Sequence, residues 1–307
     1  MPTRREFVQS GVALGGAIAG LGACASGGAA SGASAAAASG AAMSAPVASS
    51  RSAAPIKQSV CKWCYANMTV DELSANAKKM GFVSVELLDP SDFETVKKHG
   101  LVCAMTNAPG DPRTRIPKGF NRVENHSWLV PLYNDAIVKV KQANFPNLIC
   151  FSGNRDGLGD DEGLENCAKG LREIIPVAER EGVTICMELL NSKVNHPDYQ
   201  CDHSAWGVKL VEKVGSERFK LLYDIYHMQI MEGDVIRTIK DKHRAFGHYH
   251  TGGNPGRHEI DESQELYYPA IMRAIQETGF TGYVAQEFVP AKDPMTSLAD
   301  AYRRCAV

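Results

Sequence analysis

One unit repeats along this chain: a short apolar strand, a loop, an amphipathic helix, a glycine and the next strand. Apolar strand runs fall at 59–63, 83–87, 102–106, 147–152, 184–189, 219–224, 245–250 and 283–287. Helical periodicity fills 70–80, 90–98, 127–143, 162–181, 204–214, 234–242 and 265–278 between them. Gly81, Gly100, Gly182, Gly215 and Gly279 each follow the last helical turn, where a left-handed cap carries no Cβ strain. Strands that alternate with helices predict a parallel sheet. Eight of them over residues 55–307 suit one closed (β/α)8 barrel, which takes about 250 residues. An open doubly wound sheet would carry a glycine-rich phosphate loop after its first strand. The segment Cys61-Lys62-Trp63-Cys64-Tyr65-Ala66-Asn67 is no such loop.

The barrel pattern begins only near Pro55. Thr3-Arg4-Arg5-Glu6-Phe7-Val8 is a twin-arginine pattern, and an uncharged Gly/Ala-rich run follows from Gly11 to Ala23. That run is too short to span a bilayer, so residues 1–24 are expected to be a twin-arginine export signal. Leu21-Gly22-Ala23-Cys24 fits a lipoprotein box, and Ala23-Cys24-Ala25 fits an ordinary cleavage site. The first would give a lipid anchor and the second a free protein of the periplasm or envelope. Residues 25–54 are Ala, Ser and Gly except for Met43, Pro46, Val47 and Arg51, and have little to bury. They are expected to form a disordered spacer.

The net charge of −2, with no long basic run, gives no electrostatic footprint for nucleic acid. The nine cysteines are scattered through apolar runs, unlike a disulfide framework. Cys61 and Cys64 have redox-pair spacing, but sit in the first predicted strand rather than before a helix. A homo-oligomer is compatible with a barrel of this kind, although no interface signature stands out.

Helix-to-strand links are short, whereas the strand-to-helix links 107–126, 190–203 and 251–264 are long. This puts function on the C-terminal face of the barrel. Strands five to eight close with Glu188, Asp224, His250 and Glu287. In a closed parallel barrel these are neighbours and converge on one mouth. Three carboxylates at such a point repel one another unless a cation neutralises them. Each residue alone has a plainer reading: Asp224 as a helix cap, a glutamate paired with a barrel cation, His248 or His250 as a bonded core imidazole. Four successive strand ends together favour one divalent ion. Mixed carboxylate and imidazole ligands suit Mn²⁺ or Mg²⁺ first, with Co²⁺ or Zn²⁺ also compatible. Glu86, Asn154, Asn191, His227 and Arg257 surround this mouth as candidate substrate-binding residues. Arg113, Arg115 and Lys118 lie in the Pro-rich loop after strand three, where they face an anionic substrate or simply solvent. Trp63, Tyr65 and Trp128 either line the pocket or pack the barrel.

Four motifs carry a resemblance. Met187-Glu188-Leu189-Leu190-Asn191, the run from Tyr223-Asp224-Ile225-Tyr226-His227 to Gly233-Asp234, Pro255-Gly256-Arg257-His258-Glu259 and Gln286-Glu287-Phe288 resemble the hydroxypyruvate isomerase family. That family belongs to the xylose-isomerase-like barrel superfamily, with ketose 3-epimerases as relatives. The resemblance implies that Glu188 and Glu287 are both metal ligands and the two proton-transfer carboxylates. It implies that Asp224 and His250 complete the metal site, and that His227 and Arg257 hold substrate oxygens. His250 stands where the isomerases carry a Gln and the epimerases a His. Val194 stands where the epimerases carry an extra Glu.

The expected reaction is metal-assisted proton transfer beside a carbonyl, through an enediolate, on a small sugar or keto acid. Hydroxypyruvate to tartronate semialdehyde is the type case, although export fits a central metabolite poorly. The rivals are a ketose 3-epimerase, and a lyase or hydrolase of 3-keto-glycosides in the envelope. A nuclease of the related phosphoesterase barrels would need more histidines and a basic face, and a non-catalytic sugar binder would need no stoichiometric metal.

Overall fold

A computed structural model describes residues 55–112 and 115–307. The expected signal segment 1–24, the spacer 25–54 and Arg113 lie outside the described residues. Seven parallel strands form one sheet: β1 Lys57–Cys61, β2 Ser84–Glu86, β3 Asn147–Cys150, β4 Thr184–Glu188, β5 Phe219–Asp224, β6 Phe246–Thr251 and β7 Tyr283–Gln286. Their order is β2-β1-β7-β6-β5-β4-β3.

The eighth position is the segment read as strand 102–106. It makes isolated parallel bridges, Ser84 to Val102 and Leu88 to Thr106 on one side and Thr106 to Leu148 on the other. The ring therefore closes between β2 and β3 without a continuous ladder there. Side chains replace the missing rungs. The Ala104 N–H donates to Ser84 Oγ at 2.9 Å, and Asn147 Nδ2 donates to the Ala104 carbonyl at 2.7 Å. Buried backbone groups must be paired, and here Ser84 and Asn147 pair them. The first strand also sits two residues earlier than the sequence pattern suggests: Lys62–Tyr65 form a 3₁₀ turn, so Lys62 and Trp63 lie outside the strand. Cys61 and Cys64 are both buried free thiols.

Nine helices lie among the described residues: α1 Val70–Met80, α2 Phe93–Lys98, α3 Val123–Gln142, α4 Asp160–Glu181, α5 Ser204–Val214, α6 Ile225–Met231, α7 Val235–Lys242, α8 Tyr268–Glu277 and α9 Pro294–Cys305. Helices α6 and α9 were not legible as separate elements. α1 begins in a full capping box, with Thr69 accepting from Glu72 N–H while the Glu72 carboxylate accepts from Thr69 N–H. The five cap glycines all adopt positive φ. The core is continuous from the barrel interior to the helix shell, and large side chains such as Tyr199, Tyr223, Phe120 and Phe219 are fully buried.

The loop between the third strand position and α3 is pinned to the end of β3. Phe120 N–H donates to the Phe151 carbonyl at 3.2 Å, and Asn121 N–H to the Ser152 carbonyl at 2.8 Å. Gly119 permits this approach: a Cβ there would stand 2.3 Å from the Phe151 carbonyl oxygen. Because that contact is with backbone, it cannot be relieved by a rotamer change. Gly119→Ala is expected to destabilise the protein by about 2–4 kcal/mol, as measured by urea unfolding. An unchanged midpoint would show that the loop is not held in this way.

Candidate active site

The mouth is built from consecutive strand ends. Glu188 ends β4, Asp224 ends β5, His250 is the penultimate residue of β6, and Glu287 directly follows β7. Their ligand atoms all lie within 4.8 Å of one another and all four residues are buried. His250 Nδ1 stands 2.6 Å from Glu287 Oε2 and 3.6 Å from Glu188 Oε1. Among the described residues this buried nitrogen makes no aligned hydrogen bond beyond those two ion pairs. Three oxygens and one nitrogen converging on one point, with the nitrogen otherwise orphaned, are a donor set that fits a divalent cation.

The electrostatics agree. Burial, with the Glu287 charge adding to it, pushes the Glu188 carboxyl above its ordinary range. Burial and the charges of Glu287 and Glu188 push Asp224 well above. Glu287 goes the other way. Burial opposes its charge, but Arg257 and His250 outweigh burial and hold it well below the carboxylate range. For His250, burial would disfavour the cation, yet the Glu287 charge overcomes this and raises it well above ordinary imidazole. In this state a His250 proton and the Arg257 guanidinium balance the carboxylates. Metal binding would displace that proton.

Asp224 divides its carboxylate between two tasks. Oδ1 accepts from His227 N–H at 3.0 Å and caps α6, while Oδ2 accepts from Arg257 Nη2 at 3.1 Å. The plain reading and the functional one are therefore both satisfied. His248 is the bonded core imidazole of its pair.

Glu86 requires a correction. It is fully buried and does not line the cavity, and its Oε1 binds both His248 Nε2 at 2.8 Å and His250 Nε2 at 2.9 Å. Burial would raise its pKa, but the two imidazoles outweigh burial and hold it at about 2. A carboxylate on the far nitrogen fixes the tautomer of a ligand histidine and turns the other nitrogen toward the ion. Glu86 is thus placed to hold His250 by its far nitrogen.

Arg257 requires another. It lines the cavity, but its Nη2 bonds Asp224 and, at 2.6 Å, Glu287 Oε2, while its Nε bonds the Glu287 carbonyl. The guanidinium also lies 5.1 Å over the Trp63 ring. Its Nε and both Nη2 bonds are committed to Glu287 and Asp224, and among the described residues only Nη1 is left without a bond. Asn191 is a loop organiser: its Oδ1 accepts from the Val194 and Asn195 N–H groups, and its own N–H donates to His227 Nδ1 at 3.2 Å. With Nδ1 accepting, His227 carries its proton on Nε2, which is buried, unpartnered and 3.7 Å from Asp224 Oδ2. Burial and Arg257 hold His227 well below its usual pKa, so it is a neutral donor. Asn154 stands outside the cavity, with its main chain bonded to Pro117 and Asn121.

Above the cluster lies a cavity of about 500 Å³ whose lining includes Glu188, Glu287, Arg257, Trp63, His196 and Arg115. Leu87, Ile116, Ile149 and Phe151 supply its apolar wall. Two of these residues have roles that sequence reasoning missed. Trp63 Nε1 donates to Glu287 Oε1 at 2.6 Å, which fixes the carboxylate's rotation. His196 is kept neutral, at about 4, by burial and by Arg257. Neither role has a local motif. Lys118 and Trp128 line a neighbouring groove instead, and Tyr65 is packed in the core.

A closed parallel barrel with carboxylates and an imidazole at its C-terminal mouth defines the class: an α/β barrel with its site on the strand-end face. Residues 74–305 match the xylose isomerase-like TIM barrel family, and the chain belongs to that family. A 2-oxo-tetronate isomerase of Haemophilus influenzae is 26% identical over 232 residues, covering 72% of this chain and 88% of that protein. A human protein provisionally named as a hydroxypyruvate isomerase is 29% identical over 136 residues, covering 44% of this chain; the match spans about half of that protein's length, at 48%. A solved structure from Brucella melitensis, described as an AP endonuclease of family 2, superposes with a TM-score of 0.71 at 27% identity. It covers 80% of this chain and 97% of that one.

Proposed function

We propose that this chain is a metal-dependent isomerase of the aldose–ketose type, acting on hydroxypyruvate, 2-oxo-tetronate or a related small keto acid or sugar. One observation carries the reading. Glu188 and Glu287 both line one cavity, and His250 Nδ1 stands between them at 3.6 and 2.6 Å. Environments push their pKa values apart, upward for Glu188 and downward for Glu287, as an acid–base pair requires. The names of the 2-oxo-tetronate and hydroxypyruvate isomerase relatives support the same reaction class.

Glu188, Asp224, His250 and Glu287 would hold one divalent cation. When bound, that ion would polarise a carbonyl and stabilise the negative charge that develops on its oxygen. One of Glu188 and Glu287 removes the proton beside the carbonyl, and the other returns one to the neighbouring carbon. His227 Nε2–H, 3.7 Å from Asp224 Oδ2, is a neutral donor beside the cluster. Arg257 and Trp63 keep Glu287 ionised and fixed in rotation, and the apolar wall limits water.

A ketose 3-epimerase is the second reading, because a cavity of about 500 Å³ exceeds what a three-carbon acid fills. Incubation of the Mn²⁺-loaded protein in D₂O with hydroxypyruvate, 2-oxo-tetronate and six-carbon ketoses separates the two. The isomerase reading expects deuterium on the carbon whose carbonyl becomes a hydroxyl, with the matching aldehyde formed on the deprotonated neighbour. Deuterium at C3 of a ketose with inverted configuration supports the epimerase. No exchange into any of them sinks both.

A further inference from the structure

The cavity-lining charges divide into those committed to the metal cluster and those that are not. Glu188 and Glu287 belong to the cluster, and Arg257 is spent on Glu287 and Asp224. His196 is neutral. The remaining pair is Arg115 and Asp89, which come from the far side of the barrel. Asp89 follows β2, and Arg115 lies in the loop after the third strand position. In the closed ring these positions lie across the mouth from β5 and β6, which carry Asp224 and His250.

The geometry of Arg115 leaves one edge open. Its Nε donates to the Gly110 carbonyl at 3.2 Å and its Nη2 to Asp89 Oδ1 at 2.9 Å. These bonds occupy one side of the guanidinium and fix its plane. Among the described residues, Nη1 takes no partner. The Arg115 side chain is only 14% exposed, whereas Asp89 is 47% exposed, so the carboxylate sits on the solvent side of the pair. A guanidinium held on one edge and largely withdrawn from water, in a lining that includes Ile116 and Pro112, is suited to a second, planar anion on its other edge.

We infer that Arg115 is a specificity-determining residue that binds the carboxylate of an acidic substrate, so that the substrate class is a small hydroxy-keto acid rather than a neutral sugar. This rests on the isomerase reading for its turnover test, but the anion site itself does not. Lys118, from the same loop, faces the neighbouring groove and takes no part.

The test compares the full chain, loaded with Mn²⁺, with Arg115→Met and Arg115→Lys. Hydroxypyruvate is paired with dihydroxyacetone, its neutral counterpart with a hydroxymethyl in place of the carboxylate. In Arg115→Met the ratio of kcat/KM for hydroxypyruvate to that for dihydroxyacetone is expected to fall about 10- to 100-fold, with most of the change in the KM for the acid. Arg115→Lys keeps the charge without the fork and should fall between. Thermal melting confirms that each variant is folded. Tartronate, which cannot isomerise, is titrated in parallel by calorimetry. If neither substrate turns over, yet tartronate binds the parent and its affinity falls at least about tenfold in Arg115→Met, the isomerase reading fails and the anion site stands. If the acid-to-neutral ratio and the tartronate affinity are both unchanged in Arg115→Met, the inference is overturned. It is equally overturned if tartronate does not bind the parent.

Discussion

Glu188→Gln is expected to lower solvent deuterium exchange into the substrate by about 10²- to 10⁴-fold while the protein stays folded and still takes up metal. The substitution keeps size and one oxygen but removes the proton-transfer group. Among the described residues, the Glu188 carboxylate makes no hydrogen bond shorter than its 3.6 Å ion pair with His250 Nδ1. Few other contacts are therefore lost, and the rate reports on chemistry. Glu287→Gln should cost at least as much, for a mixed reason. Its two oxygens accept from Trp63 Nε1 and Arg257 Nη2, both at 2.6 Å. An amide can satisfy only one of these donors, so the variant loses positioning as well as the base. The double variant should be little slower than the worse single one, because the two groups act as a unit. If both single variants exchange deuterium at the parent rate, neither carboxylate moves the proton and the mechanism is wrong.

The part of this site that was legible in the sequence is the part that chain order encodes. Consecutive strands are neighbours in a parallel barrel, so reading the ends of β4 to β7 gives Glu188, Asp224, His250 and Glu287 without three-dimensional knowledge. What was not legible depends on contacts across the ring. Glu86 lies 164 positions from His250, and nothing local says that it turns inward to hold that imidazole. Trp63 reaches Glu287 because the chain turns abruptly after Cys61, where the apolar pattern suggested that the strand continued. Arg257 looked free to bind substrate because sequence shows a cation in a loop but not the carboxylates that have already taken it. The sequence of 102–106 predicts an ordinary strand. Its apolar pattern is correct, and only the buried Ser84 and Asn147 bonds reveal that side chains hold Ala104 in place of a ladder. Helix α6 starts directly at Ile225 on the Asp224 cap, too short for helical periodicity to register beside α7.

Metal binding should be strongly pH-dependent, and the direction follows from the protonation states. Coordination needs Glu188, Asp224 and Glu287 ionised and His250 neutral at Nδ1. Burial and mutual repulsion raise the first two carboxyls, and the Glu287 charge raises His250 against burial, so these three hold protons to higher pH than they would in water. Glu287 is held low by Arg257 and His250 despite burial and contributes no proton at neutral pH. The metal must therefore displace protons, and its affinity falls as pH falls through the raised values. Near pH 6, calorimetry in buffers of differing ionisation enthalpy should show about one to two protons released per Mn²⁺, with affinity rising roughly tenfold per pH unit for each proton. The rise should continue above the ordinary imidazole value of about 6.5, because His250 is raised. At a free metal concentration near 100 times Kd the folded state gains about 2.7 kcal/mol. For a barrel of this size that is a rise in Tm of roughly 5–10 °C, which a chelator should reverse. Glu86→Gln separates this account from simple acid titration of the surface. Without the carboxylate on its Nε2, His250 is oriented less firmly and metal affinity should drop about 10- to 100-fold at every pH. Affinity that stayed flat between pH 5.5 and 8, with no proton release, would mean that the four strand-end residues are not the ligands.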